Sequence, residues 1–239
     1  MIDLSIIIPV HNESSKIQTD IRKADIFLYE QNLTGQIIIV DDGSTDNTAK
    51  VAGDASQNTK AECLLSQLDK NFGKGRAVRT GIIQSTGKFV MFADSGNCIP
   101  FTDALKGIEL IRSDKCQIAH GSRKLSDSTI DRPRSQYRSL CSNFFKWYLA
   151  HNFKQLAGFS DTQCGFKIYD GDTARKLYAQ STLDGFMFDI EIILLALTAE
   201  MNILEFAINW TSDPDSRLTP LRQSLRIFTD LTKLKKRFH

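Results

Sequence analysis

Short apolar runs alternate with longer amphipathic stretches through the first half of the chain, and this alternation limits the possible folds more than any other feature. The first run is LSIIIPV at residues 4–10, and similar runs occupy 36–40, 62–65 and 88–93. Residues 13–30 instead carry apolar side chains at helical spacing. Continuous apolar strands separated by helices are typical of a mostly parallel, Rossmann-like sheet with helices on both faces. The sequence therefore predicts an α/β fold, with further helices beginning near residues 45, 75 and 102.

Composition agrees with one soluble globular domain. The 239 residues are 41% hydrophobic and 24% charged, which is enough to bury a core. No window is apolar enough to span a membrane, and the first ten residues do not resemble a signal peptide, so we expect a cytoplasmic protein. The five cysteines are scattered and form no C-x-x-C pair. This pattern favours reduced thiols over disulfides or a zinc site.

Three predicted strands end in acids or amides. The strings are PVHNE, VDDGSTDNT and ADSGN, and parallel sheets of this kind bind ligands at the carboxyl ends of their strands. Asp46 is better explained as the cap of the following helix. Asp42 and Asp94 stand at the strand tips themselves, so we interpret them as functional residues.

The familiar phosphate-binding loops are absent from the sequence. Gly73 and Gly75 are followed by Val78, where a dinucleotide fingerprint requires a third glycine, and Gly87-Lys88 is followed by an aromatic residue instead of the Ser or Thr of a Walker loop. What remains is a cleft lined by acids, with a basic turn at residues 74–76. Acids face a polyphosphate ligand chiefly when a divalent cation stands between them.

Five strings allow a more specific comparison. In chain order, IIIPVHNE, VDDGSTDNT, NFGKGRAVRTG, DTQCGFK and FDIEIILLA closely resemble the family-2 glycosyltransferases of GT-A fold. Within that family they are most similar to the dolichyl-phosphate glucosyltransferases and the polyprenyl-phosphate sugar synthases. The resemblance implies an inverting enzyme that moves a hexose, here glucose from UDP-glucose, to a polyprenyl or dolichyl phosphate. The partners it implies are a nucleotide-sugar donor and a lipid-phosphate acceptor.

The resemblance also implies roles for individual residues. Asp94 would be the first acid of the family's D-x-D metal motif, and with Asn97 it would hold Mg²⁺ or Mn²⁺. The catalytic acids would be Asp94, Asp161 and Asp189. The cations for the donor and acceptor phosphates would be Arg123, Arg138 and Arg217. The nucleotide would be bound by Pro9, His11, Glu13, Val40, Asp42, Lys74, Asp94 and Ser95.

One departure from the family pattern concerns the metal. The chain has Asp94-Ser95-Gly96 where the family has a second acid, so one carboxylate must act alone. Mg²⁺ often takes only one or two protein carboxylates and keeps several waters. Two possibilities follow: a weaker metal site that depends more on the donor, or a protein that has lost catalysis.

The acceptor decides whether a catalytic base is needed. A phosphate with a second pKa near ~6 is already an anion at neutral pH, whereas a sugar hydroxyl needs a base. Asp161, Asp189 and Glu191 are the candidates. The alternative is structural, with Asp161 ordering its loop and the other two favoured by a helix dipole. We assign Glu191 to the structural role, and Asp161 and Asp189 to the site, as positioning groups or as bases.

Two basic amphipathic segments could bring the protein to a membrane surface. Residues 134–151 carry Tyr, Trp and Phe among arginines, and residues 216–239 place leucines three or four apart with seven Lys or Arg against one acid, Asp230. Such helices can lie among lipid headgroups, although they more often cover a core of their own protein. We therefore divide the chain into a GT-A domain at 1–217 and a basic helix at 218–239 that attaches peripherally to the cytoplasmic membrane face. Without a recognition motif for RNA or DNA, nucleic acid is not an expected partner.

Two rival functions stay open at this point. One is a soluble glycosyltransferase that acts on a glycan hydroxyl. The other is a catalytically weakened protein that binds nucleotide sugars, which Gly96 would explain. The sequence also leaves open the oligomeric state and whether a membrane-protein partner supplies an anchor.

Overall fold

A computed structural model describes residues 1–131, 148–149, 151–211 and 220–238. The strands within these residues are β1 (Leu4–Val10), β2 (Gly35–Asp41), β3 (Glu62–Gln67), β4 (Phe89–Ala93), β5 (Ile118–Ser122), β6 (Thr129–Ile130), β7 (Phe166–Asp170), β8 (Ile203–Ala207) and β9 (Asn209–Trp210). Seven of them form one sheet with helices on both faces, in the strand order β3-β2-β1-β4-β7-β5-β8, and β6 and β9 form a two-stranded sheet.

The helices follow the strands in the predicted alternation through the first half of the chain. Two short 3-10 helices, at Phe101–Asp103 and Lys154–Leu156, accompany them. The α-helices are α1 (Ile17–Glu30), α2 (Thr48–Ser56), α3 (Lys74–Gln84), α4 (Ala104–Arg112), α5 (Gly171–Gln180), α6 (Phe188–Thr198) and α7 (Pro220–Phe238).

The central strands are buried on both faces, as their continuous apolar runs predict. In β1, Ile6 and Ile8 pack into a core beneath α1, while Ile7 points to the opposite face and packs into a second core with Ile38 of β2. Each fully buried side chain of this size contributes about 1.5–3 kcal/mol. Two apolar layers of this kind require helices on both sides of the sheet.

The order of the strands sets the position of the ligand crevice. β1 pairs in parallel with β2 on one side and with β4 on the other, so the chain reverses its direction of travel across the sheet next to β1. Ligands of open α/β sheets bind outside the carboxyl ends of the strands at such a switch point. The predicted polar strand ends therefore border one crevice.

β7 is the exception in a mostly parallel sheet. It lies between β4 and β5 and runs antiparallel to both, so its amino end meets their carboxyl ends. Ala93 of β4 pairs with Phe166 of β7. As a result, residues 161–165, which come just before β7, lie at the same edge of the sheet as Asp94.

Membrane-spanning helices are not found within the described ranges: none of the helices there combines enough length with enough apolar character to cross a bilayer. The four described cysteines, Cys63, Cys98, Cys116 and Cys164, are free thiols. The predicted segment 134–151 lies mostly outside the described residues, as do Arg138 and Arg217.

Candidate active site

An ion pair between Lys74 and Asp94 occupies the switch point. Lys74 begins α3, Asp94 follows β4, and the ammonium Nζ lies 2.6 Å from Asp94 Oδ1. Burial alone would lower the pKa of Lys74, but the negative charges of Asp94 and Asp189 outweigh it and raise the pKa. Lys74 therefore stays positively charged beside a carboxylate that is 45% exposed.

Gly165 makes room for the Asp94 side chain. The Asp94 N–H donates to the Gly165 carbonyl at 2.9 Å, and a Cβ at position 165 would come within 2.0 Å of Asp94 Oδ2. Real Cβ atoms do not approach an oxygen so closely, so the carboxylate would have to move. The sequence motif DTQCGFK contains this glycine, but nothing in the motif indicates that it faces Asp94.

A buried acid on α1 holds the turn that follows Asp94. The Oδ2 atom of Asp20 accepts hydrogen bonds from the Ser95 hydroxyl and the Gly96 N–H, each at 2.9 Å, and burial raises the pKa of Asp20 in spite of these bonds. Sequence reasoning missed this residue. A signal was present, because Asp20 falls on the apolar stripe of α1 between Ile17 and Ala24, where a charged residue is unusual.

The crevice fits a divalent cation that is held largely by its ligand. Asp94 offers a partly exposed carboxylate, and Asn97 follows in a left-handed backbone conformation with φ of 47°. No group of three or more His, Cys, Asp or Glu side chains among the described residues could hold a metal ion alone. A hydrated Mg²⁺ ion that takes one protein carboxylate is compatible with this donor set.

The predicted nucleotide-binding residues line the ends of β1 and β2. The His11 Nδ1–H donates to the Asp42 carbonyl at 2.9 Å, and the Glu13 carboxylate lies 3.2 Å from Lys16 Nζ. Both carboxylate oxygens of Asp42 accept backbone N–H groups, those of Phe72 and Gly73, at 2.8 Å.

The remaining nucleotide-binding candidates lie close by. Pro9 is partly exposed at the end of β1, and Ser95 is bound to Asp20. The Val40 side chain is fully buried in the core, so only its backbone faces the strand end. Asp46 accepts the Thr48 N–H at the start of α2, but the N-cap residue of that helix is Asn47, whereas the sequence had predicted Asp46.

Asp161 is paired with Arg123. The Arg123 Nε and Nη2 atoms lie 2.5 and 2.7 Å from the two carboxylate oxygens. Burial alone would raise the pKa of Asp161, but the hydrogen bonds and charge of Arg123 lower it to about 2. A carboxylate with so low a pKa is a poor base at neutral pH. Two of the five guanidinium N–H donors of Arg123 are directed at Asp161.

This pairing predicts a pH dependence of stability. The pKa of Asp161 is lower in the folded protein than the ordinary 3.8. The ionised carboxylate therefore stabilises the fold by about 2 kcal/mol above pH 4. This stabilisation is lost as the pH falls from about 4 to about 2. We expect Asp161→Asn to be less stable than the wild type in urea unfolding at pH 7, and the gap to shrink below pH 4. A gap of equal size at pH 7 and pH 3 would contradict the assignment.

Asp189 and Glu191 are both buried at the start of α6. Asp189 Oδ1 lies 2.5 Å from the ammonium of Lys167, which is only 1% exposed and also donates to the Cys164 carbonyl. Glu191 accepts the backbone N–H groups of Thr182 and Leu183. Glu191 therefore orders the segment before α6, in keeping with its structural assignment, and Lys167 is a charged group of the site that sequence reasoning did not name.

Two solved structures share this fold. Mannosyl-3-phosphoglycerate synthase from Rubrobacter xylanophilus matches 99% of this chain and 74% of its own, with a TM-score of 0.74 and 18% identity. Glucosyl-3-phosphoglycerate synthase from Mycobacterium tuberculosis, in complex with Mn²⁺, UDP and glucosyl-3-phosphoglycerate, matches 93% of this chain and 75% of its own, with a TM-score of 0.67 and 17% identity. The fold is that of the GT-A glycosyltransferases, as the sequence predicted.

A protein-family model identifies the family within this class of fold. The model described as Glycosyl transferase family 2 matches residues 5–177, a range that includes the strand ends, the Lys74–Asp94 pair and the DTQCGFK motif. The chain belongs to glycosyltransferase family 2, which confirms the predicted membership.

Curated relatives cover nearly the whole chain. Dolichyl-phosphate beta-glucosyltransferase of Dictyostelium discoideum is 33% identical over 248 residues, which is 98% of this chain and 74% of that protein. The Homo sapiens protein of the same name is 30% identical over 249 residues, which is 98% of this chain and 75% of that protein.

Proposed function

We propose that this glycosyltransferase moves glucose from UDP-glucose to dolichyl phosphate or a related polyprenyl phosphate, with inversion at the anomeric carbon. The observation that carries the proposal is the Lys74–Asp94 pair at the switch point of the sheet. The names of the two curated relatives support glucose as the sugar and dolichyl phosphate as the acceptor.

The donor end of the reaction requires positive charge at the diphosphate. Lys74 binds the diphosphate and offsets the negative charge that develops as the sugar leaves, which lowers the barrier because it acts where the charge appears. Asp94 orients Lys74. Mg²⁺ or Mn²⁺, held by Asp94 with Asn97 as a further ligand, would add positive charge at the same leaving group. Pro9, His11, Glu13 and the strand end at residues 40–42 bind the nucleoside.

The acceptor end favours a phosphate over a hydroxyl. Both acids that could act as a base are paired with cations, Asp161 with Arg123 and Asp189 with Lys167. The pairing with Arg123 lowers the pKa of Asp161 to about 2, which makes Asp161 a poor base. Burial raises the pKa of Asp189, but its Oδ1 atom is held in the ion pair with Lys167. A phosphate acceptor needs no base, because it is already an anion at neutral pH. In this arrangement Asp161 and Asp189 position cationic side chains near the site.

A panel of donors and acceptors tests the proposal. Purified protein with Mg²⁺ is offered UDP-glucose or GDP-mannose, each with dolichyl phosphate or with an oligosaccharide. We expect transfer from UDP-glucose to dolichyl phosphate, and little with the other combinations. Transfer to the oligosaccharide would favour the soluble enzyme, and nucleotide binding without any transfer would favour the binding protein.

A lipid acceptor implies contact with a membrane, and the outer face of α7 is suited to it. Phe228 is 64% exposed, and a groove of about 530 Å³ beside it is lined by Tyr148, Lys235 and Lys236. Aromatic and cationic side chains together favour an anionic headgroup region. The opposite face of α7 packs on its own domain through Leu231 and Leu234, so only the outer face is offered to a bilayer at the cytoplasmic side.

Phe228→Ser tests this attachment without uncovering the core. We expect the variant to sediment less with vesicles of phosphatidylserine and phosphatidylcholine than the wild type does, since it removes an exposed apolar anchor. Ile83→Ser, at an exposed apolar position on α3, is the control and should sediment like the wild type. Equal sedimentation of all three proteins would count against α7 as the membrane-facing helix.

A further inference from the structure

The turn before Lys74 is held from two sides. On one side, Asp42 accepts the N–H groups of Phe72 and Gly73. On the other, the guanidinium of Arg226, from α7, donates to the Phe72 carbonyl at 2.7 Å. Three of the four backbone polar groups at residues 72–73 are thus bound by charged side chains, and the fourth, the Gly73 carbonyl, accepts the Arg76 N–H. Hydrogen bonds to charged side chains are stronger than neutral ones.

The Arg226 side chain passes close to two glycines. A Cβ at Gly73 would lie 3.2 Å from Arg226 Nη2 and 2.5 Å from the Asp184 carbonyl, and a Cβ at Gly185 would lie 3.0 Å from Arg226 Nε. Gly73 also has φ of 121°, a conformation that other residues rarely adopt. The backbone at both glycines therefore passes close to the arginine, and at Gly73 it passes closer still to the Asp184 carbonyl.

The helix that carries Arg226 is anchored further along. Leu231 and Leu234 are buried in the core, and Arg237 Nη1 lies 2.6 Å from Glu191 Oε1. Glu191 in turn holds the backbone of Thr182 and Leu183. A side chain on a fixed helix can set the position of the turn that it binds.

We propose that Arg226 is a positioning residue for the donor site: it fixes the turn at residues 72–73 so that Lys74 reaches the diphosphate. The C-terminal helix is then a part of the donor site, although it follows all the family motifs in the chain. The proposal rests on the proposed function, in which Lys74 binds the diphosphate of the donor.

The test compares three variants of the full chain. Arg226→Gln removes the charge, and Arg226→Lys keeps the charge but not the shape of the guanidinium. Arg112→Gln makes the same substitution at an exposed arginine of α4, outside the site and the membrane-facing groove. We measure UDP binding by calorimetry, KM for UDP-glucose and for dolichyl phosphate separately, and the melting temperature. For Arg226→Gln we expect UDP affinity to fall about three- to tenfold, because the bond is solvent-exposed and its loss then costs about as much as that of an ordinary hydrogen bond. KM for UDP-glucose should rise by the same factor.

A purely structural role would not single out the donor. We therefore expect KM for dolichyl phosphate to stay at the wild-type value, Arg226→Lys to recover part of the UDP affinity, and Arg112→Gln to bind UDP like the wild type. If Arg226→Gln does not fold, Arg226→Lys provides the test. An Arg226→Lys variant that binds UDP as tightly as the wild type would overturn the proposal. A loss of UDP affinity without a change in KM for dolichyl phosphate would support it.

The remaining outcomes separate this proposal from the proposed function. Normal UDP binding by Arg226→Gln, or an equal loss of UDP affinity in Arg112→Gln, would overturn the positioning role alone. Wild-type protein that binds no UDP would overturn the proposed function.

Discussion

Asp94→Ala is expected to lower turnover with UDP-glucose and dolichyl phosphate at least about 10²–10³-fold, the loss seen when one group that stabilises a developing charge is removed. The substitution takes away the partner of Lys74 and the carboxylate that we assign to the metal. Lys74 would then be free to move away from the leaving group. Transfer of labelled glucose to dolichyl phosphate at saturating substrate measures the effect.

Asp172→Ala is the matched control for this variant. Asp172 is a surface acid on α5 that forms an ion pair with Arg175 at 2.8 Å, so the substitution also removes one negative charge and one ion pair. We expect it to keep wild-type turnover. If Asp94→Ala stayed folded and transferred glucose at the wild-type rate, the role of Asp94 would be wrong.

Gly165→Ala is expected to cost nearly as much activity without removing any functional group. The new methyl group would overlap the Asp94 carboxylate, 2.0 Å from Oδ2 and 2.2 Å from Cγ, so the carboxylate must shift away from Lys74. A displacement of about 1 Å in a site can reduce the rate about 10²-fold. The extra volume should destabilise the fold by about 1–3 kcal/mol, which urea unfolding measures alongside turnover.

Gly158→Ala separates this local effect from the general effect of adding a methyl group. A Cβ at Gly158 meets nothing within 4 Å, so we expect normal activity and stability. Wild-type turnover in Gly165→Ala would show that the position of the Asp94 carboxylate does not limit the reaction.

The strand ends show how far sequence patterns reach. The continuous apolar runs of β1, β2 and β4 predicted buried parallel strands, and parallel strands bring their carboxyl ends to one edge. The sequence alone therefore placed Asp42 and Asp94 at one crevice. The motifs then predicted the family, because their order and spacing are specific.

The side-chain contacts within the crevice could not be predicted from the sequence. The sequence placed Asp42 at the nucleotide site but did not indicate that both of its carboxylate oxygens hold the turn before Lys74. Asp20 and Lys167 were not named, although each binds a segment of the site. A side chain's partner depends on which backbone groups come within about 3 Å, and spacing along the chain does not record that distance.

The sequence by itself determined the alternation of strands and helices, the family, and the strand ends at which the chemistry is placed, because these follow from local apolar patterns and contiguous motifs. Only the tertiary structure decided which charges are paired. The antiparallel entry of β7 brings Gly165 against Asp94, and the return of α7 brings Arg226 to the turn at residues 72–73. Both contacts join segments far apart in the chain, and their geometry is fixed by how the sheet and helices pack, which no single stretch of sequence encodes.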